Sequence, residues 1–168
     1  MASRDKQDAI ELLTDDHRTV EELFEQFEKT SDSQKKEQIA RQICTELKVH
    51  TLLEEEIFYP ALRGKIDDDD LDEALVEHDG AKLLINEIEA SGAQADFFEA
   101  KVKVLQEQIE HHVEEEEQES GNIFTQARKS DVDLDMLGEQ MAARKAELMQ
   151  IAETGSLPPA QTTTMETA

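Results

Sequence analysis

Four stretches of this chain carry apolar residues at helical spacing, and one histidine breaks each stripe. The stripes are Ile10, Leu13, His17, Val20, Phe24, Phe27; then Ile39, Ile43, Leu47, His50, Glu54, Ile57, Ala61; then Leu71, Ala74, His78, Ala81, Ile85, Ile88; and last Leu105, Ile109, His112, Glu116. Residues three and four apart lie on one face of an α-helix. The pattern therefore asks for four helices, each with an imidazole on its buried face. Two of them, at His50 and His112, add a carboxylate one turn later. A polar ring or a charge on a buried face is costly unless it finds a partner. One core histidine with a satisfied hydrogen bond is ordinary. Four in register point to shared metal.

The histidines are 33, 28 and 34 residues apart, each roughly one helix up, a short loop and one helix down. Such spacing predicts an all-α, up-down-up-down four-helix bundle, with the four rings meeting in one layer. The predicted helices cover about 8–29, 34–62, 71–90 and 95–119, followed by a short continuation over 123–128. A fifth helix over about 134–152 has Leu134, Leu137, Met141, Leu148 and Ile151 on one side and is expected outside the bundle. Ser33 and Asp131 are the predicted N-caps of the second and fifth helices, and Gly64 a C-terminal stop. Residues 1–155 read as one domain, with the bundle in 8–128. Residues 156–168, rich in Pro and Thr, read as a flexible tail.

The formal net charge of −24 repels nucleic acid and anionic lipid and favours cations. No apolar run approaches a membrane span, and the first residues contain no apolar leader core. Cys44 is the only cysteine, placed beside a core position, so no intramolecular disulfide can form. A reducing cytoplasm is the expected compartment. The run Asp67–Asp70 suits a helix N-terminus. Asp131, Asp133 and Asp135 resemble half of a calcium loop, but Met136 and Ala142 stand where that loop needs its glycine and glutamate.

Four imidazoles and two carboxylates exceed the four ligands of one zinc. They suit two octahedral ions, each with two histidines, and with carboxylates bridging the pair. Imidazole and carboxylate without thiolate select iron, manganese or zinc. Iron is the leading expectation, because open positions beside mixed nitrogen and oxygen ligands suit oxygen or peroxide. The Glu-x-x-His motif of ferritin-like bundles is absent: Thr14, Leu47, Leu75, Gln108 and Ile109 stand three before the histidines. The zinc protease motif His-Glu-x-x-His is absent as well.

Asp-Asp-His17, His50-x-x-x-Glu54 followed by Ile-Phe-Tyr-Pro, Glu77-His78 and His112-x-x-x-Glu116 together resemble the hemerythrin-like, HHE cation-binding proteins over residues 8–128. The resemblance implies a non-haem di-iron centre, oxo- or hydroxo-bridged, in a four-helix bundle. His17, His50, His78 and His112 would be the iron ligands, and Glu54 and Glu116 the bridges. Lys82 stands where the oxygen carriers of this family have a further histidine, and their last carboxylate falls at the position of Glu117. The pattern here resembles the bacterial subgroup with H-HxxxE-H-HxxxE. That implies handling of a small oxidant: catalase-like peroxide disproportionation, or a response to O2 or NO. The alternative is an iron-binding, sensing or di-iron repair-type protein without turnover. Tyr59 is expected at the end of the bundle with its hydroxyl in water; a place at the metals is its other reading. Glu117 is the alternative bridge. His111 is expected on the surface. Glu55, Glu56, Glu114 and Glu115 are expected mostly in solvent, with one of them free to orient a ligand ring.

Overall fold

A computed structural model describes residues 6–118 and 120–166, and among them there is no strand. The helices are α1 (Ala9–Lys29), α2 (Ser33–Leu53), α3 (Tyr59–Leu62), α4 (Asp68–Ala90), α5 (Phe98–Glu117), α6 (Ile123–Lys129) and α7 (Leu134–Thr154). Between α2 and α3 the chain does not break; it widens into a π-helical turn, Glu54–Phe58. The single long helix expected over 34–62 is therefore three joined pieces. Residue 119, the expected end of the fourth bundle helix, lies outside the described residues, as do 1–5 and 167–168.

Short acidic or amide side chains start the helices by accepting from exposed backbone N–H groups. Asp8 and Glu11 form a reciprocal capping box at α1, and Asp67 and Asn122 cap α4 and α6. Two expected caps are displaced by one or two residues. Asp32, not Ser33, caps α2, and Asp133, not Asp131, caps α7. Asp131 pairs instead with Lys65 at 3.0 Å. Gly64 follows the end of α3 with φ of +79°, a conformation that favours glycine.

Two apolar clusters fix the helix directions. One gathers the start of α1 (Ile10, Leu13), the end of α2 and its extension (Leu53, Phe58, Leu62) and the start of α4 (Leu71, Ala74), closed by Phe124 and by Leu137, Met141 and Leu148 of α7. The other gathers the end of α1 (Val20, Phe24, Phe27), the start of α2 (Ala40, Ile43), the end of α4 (Ile85, Ile88) and the start of α5 (Phe98, Leu105). Starts meet ends at both levels, so successive bundle helices alternate in direction. The four stripe histidines lie between the clusters.

The segment after Gly155 differs from the expected mobile tail. Leu157 is buried, and Lys48 Nζ donates to the carbonyls of Leu157 and Pro158 at 3.2 and 3.0 Å. Asn86 and Ala160 exchange two hydrogen bonds, at 2.9 and 2.8 Å. The buried carboxylate of Asp79 accepts the backbone N–H groups of Thr163, Thr164 and Met165 at 2.6–2.9 Å. Burial pushes the Asp79 carboxyl up, but the Thr164 hydroxyl, donating at 2.6 Å, and then these N–H groups hold it well below the usual carboxylate range. A carboxylate gathering several N–H donors favours its charged form.

Candidate metal centre

Each bundle helix delivers one imidazole to the layer between the clusters: His17 from α1, His50 from α2, His78 from α4 and His112 from α5. All four are buried, and Glu54 and Glu116 are wholly inaccessible. The Nε2 atoms point inward. His17 and His50 bring theirs to 3.2 Å, as do His78 and His112. Glu54 Oε1 lies 3.0 Å from His50 Nε2 and 3.3 Å from His78 Nε2. Glu116 Oε1 lies 2.8 Å from His112 Nε2 and 3.7 Å from His17 Nε2. Each carboxylate thus touches a ring from both pairs. Donor atoms of His17, His50 and Glu116 fall within 4.8 Å of one another, and so do those of His78, His112 and Glu54.

Whether these residues fit metal is decided by their polar atoms. Both oxygens of Glu54 and Oε1 of Glu116 are buried with no hydrogen-bond partner among the described residues. Buried carboxylate oxygens are rarely left so. Their neighbours are imidazole Nε2 atoms at close range but off the hydrogen-bonding line. Carboxylate oxygens that converge on imidazole nitrogens without bonding to them fit cations placed between them.

The outer nitrogens are equally organised. His50 Nδ1 bonds Asp16 at 3.0 Å, His78 Nδ1 bonds Glu55 at 3.3 Å and His112 Nδ1 bonds Glu77 at 2.9 Å. His17 Nδ1 makes an ion-pair contact with Glu117 at 3.2 Å. In every case the carboxylate comes from a different element than the ring, so the links run α1–α2, π-turn–α4, α4–α5 and α5–α1 and close around the bundle. Behind each carboxylate stands a basic side chain. Lys145 is 2.5 Å from Asp16, Lys82 is 2.8 Å from Glu55, His111 is 3.3 Å from Glu77, and Arg18 contacts Glu117. Carboxylates on the far nitrogen fix an imidazole's tautomer and raise its basicity toward metal.

Charge follows this geometry. Burial alone would lower the His50 pKa, but Glu54 and Asp16 outweigh it and push the ring up to about 10. His112 is raised well above its usual value against the same burial, by Glu116 first. Burial would raise Glu54, yet His50, His112 and His78 hold it well below the usual carboxylate range. In the metal-free protein the raised His50 and His112 and the lowered Glu54 pair positive rings with a negative carboxylate, a charge pattern that cations would replace.

Tyr59 is fully enclosed rather than wet. Its hydroxyl donates to Glu116 Oε2 at 3.4 Å and lies 3.4 Å from His112 Nε2, and its ring stacks on His78 with centroids 5.5 Å apart. Burial first, then Glu116 and Glu54, push the phenol well above its usual range. Glu117 faces the outer side of His17, so Glu116 is the carboxylate that points inward. Lys82 turns away from the rings to hold Glu55, Asp79 and the carbonyl of Gln161. His111 is exposed, as expected, but bridges Glu77 and Glu115. Burial and the neighbouring Glu77 raise Glu115 to about 7. Glu56 pairs with Arg144 at 2.9 Å. Asp16 and Glu77 were not anticipated as orienting groups. Their sequence signal is an acid directly before a stripe histidine, Asp16-His17 and Glu77-His78, although each serves a ring on the next helix.

A cavity of about 20 Å³ adjoins the rings, lined by the four histidines and by Val20, Leu47, Ala81, Ile85 and Ile109. That is room for about one water-sized molecule.

Comparison with known proteins agrees with this arrangement. The family model for the hemerythrin HHE cation binding domain matches residues 8–121. A DNA nickase of Nostoc sp. (strain PCC 7120) is 32% identical over 115 residues, covering 67% of this chain and 33% of the nickase. The chain thus spans about a third of that relative's length. The crystal structure of a Hemerythrin HHE cation binding domain-containing protein, an Rv2633c homolog from Mycobacterium kansasii, superposes with a TM-score of 0.73. It is 22% identical, with 88% of this chain and 91% of that one covered, a likeness of fold. With all four stripe histidines inside the matched residues, the chain belongs to the hemerythrin HHE cation-binding domain family.

Proposed function

We propose that the centre holds two iron ions and consumes a small oxidant, with peroxide disproportionation as its activity. His17, His50 and Glu116 would hold one ion, and His78, His112 and Glu54 the other. The carrying observation is the set of orphaned buried oxygens on Glu54 and Glu116, each carboxylate touching rings from both pairs. An iron pair supplies two one-electron redox couples at one place. The chain's own residues would do the rest. Glu54 and Glu116 keep the two halves together as charge changes. Asp16, Glu55, Glu77 and Glu117 keep each ring oriented with its lone pair inward. Tyr59 places a proton donor 3.4 Å from Glu116 Oε2. The small cavity beside the rings, with room for about one water-sized molecule, would favour a very small oxidant over a bulky one.

Nicking of DNA is not part of this reading. A net charge of −24 opposes approach to a phosphate backbone, and the matched stretch is a third of the nickase. Among the described residues no helix is long and apolar enough to cross a membrane. A cytoplasmic setting, with its thiol-reducing conditions, is part of the proposal.

The test is elemental analysis of protein grown on iron, followed by oxygen release from added peroxide. Two irons per chain and oxygen release that is lost in His50→Ala support the proposal. Two irons with no peroxide consumption would assign the centre to iron holding or sensing. Fewer than two would end the two-ion reading.

A further inference from the structure

The matched family stretch ends at residue 121, and α7 lies beyond it. Yet α7 reaches the metal centre. Lys145 Nζ sits 2.5 Å from Asp16 Oδ1, and the other oxygen of that carboxylate, Oδ2, bonds His50 Nδ1 at 3.0 Å. Asp16 is thus gripped at both oxygens and is only 4% exposed. A carboxylate held at both ends has its plane fixed. A ring whose Nδ1–H must meet one of those oxygens has its own rotation and tautomer fixed in turn.

The other three orienting carboxylates take their basic partner from inside the bundle: Arg18 from α1, Lys82 from α4 and His111 from α5. For Asp16 the partner comes from α7. The seat of α7 is fixed elsewhere along its length. Met141 and Leu148 are buried in the core cluster, Arg144 grips Glu56 at 2.9 and 3.3 Å, and Gly138 lies flush against the backbone of Gln7 and Asp8.

We propose that Lys145 is a positioning residue of the metal centre: it holds Asp16 so that His50 presents Nε2 to the ion shared with His17 and Glu116. This rests on the two-ion reading above. Its effect is confined to one half of the site. Lys82, through Glu55 and His78, does the same for the other half.

The test is cobalt(II) titration of the metal-free full chain, followed by visible absorption and by competition with a chelator, with far-ultraviolet circular dichroism as the fold control. The wild type should take up two equivalents. Lys145→Met should weaken one equivalent about tenfold, the lower end of what outer partners contribute to metal affinity. It should shift the absorption of that equivalent and leave the other unchanged. Lys145→Arg should restore both, and Lys82→Met should weaken the opposite equivalent. Lys145→Gln keeps most of the stem and carries the same expectation if the Met variant loses helicity. Unchanged affinities in Lys145→Met, or equal weakening of both equivalents with the fold intact, overturn the assignment. A wild type that binds fewer than two ions overturns the two-ion reading itself.

Discussion

Glu54 Oε1 lies 3.0 Å from His50 Nε2 across the last α-helical turn before the helix widens. The same oxygen is 3.3 Å from His78, so this side chain joins the two halves of the centre. Glu54→Ala removes the junction. We expect fewer than two metals per chain by elemental analysis. In the metal-free protein the loss strands His50 and His112, both raised in part by Glu54, in the core, and urea unfolding should show a cost of about 3–5 kcal/mol. An alanine variant that kept both metals and full stability would contradict the assignment.

The second prediction concerns Tyr59. Tyr59→Phe keeps the ring on His78 but deletes the hydroxyl near Glu116 and His112. Stability should change by no more than about 1–2 kcal/mol, since one long hydrogen bond is lost. Both metals should remain. Peroxide consumption should fall by about 100-fold if the phenol moves a proton there, the usual scale for a positioned acid. Unchanged turnover would leave Tyr59 a packing residue.

Acidity gives a third outcome, with its direction set by the sign of each shift. His50 is raised from 6.5 to about 10 in the folded metal-free protein, against burial, by Glu54 and Asp16. A raised imidazole contributes stability in full below pH 6.5 and loses it as pH climbs to about 10. Glu54, depressed from 4.5, contributes above that pH and loses its share as pH falls. Thermal melts of metal-free protein should therefore peak between these limits and decline on the alkaline side. Metal addition at neutral pH should release protons, visible with a pH indicator. A flat stability profile from pH 6.5 to 10 would be inconsistent with the charge pattern described.

Gly138 gives a case in which helix propensity and packing disagree. Glycine to alanine inside a helix ordinarily gains up to about 1 kcal/mol. Here an added Cβ would stand 2.4 Å from the carbonyl oxygen of Gln7 and 2.8–2.9 Å from the backbone of Asp8 and Ala9. Backbone cannot yield as a side chain can, so Gly138→Ala should cost about 1–3 kcal/mol. Calorimetry decides the sign. Since α7 also carries Lys145, the same variant should disturb cobalt absorption.

The helices, and the residues that form the inward ring of donors, were legible because a buried stripe repeats with the helix and each histidine sits on its stripe. Tyr59 was not. On a regular α-helix, five residues past Glu54 falls about 140° round the axis, facing away from the rings. The π-helical turn closes with the Tyr59 N–H on the Glu54 carbonyl, which stacks Tyr59 over Glu54 and turns it to the rings. The Pro- and Thr-rich segment after Gly155 likewise read as loose. Only the arrival of Asp79 beneath Thr163–Met165 gives its backbone a buried acceptor.

By itself the sequence determined the four rods, their alternating course and the depth at which four imidazoles meet, because those follow from local periodicity and loop length. The tertiary structure decided which carboxylate stands behind which ring. Asp16 precedes His17 yet serves His50, Glu77 precedes His78 yet serves His112, and Lys145 comes from more than a hundred residues away to hold Asp16. Side chains next to a stripe point at the neighbouring helix, and which helix is the neighbour is settled only when the rods pack.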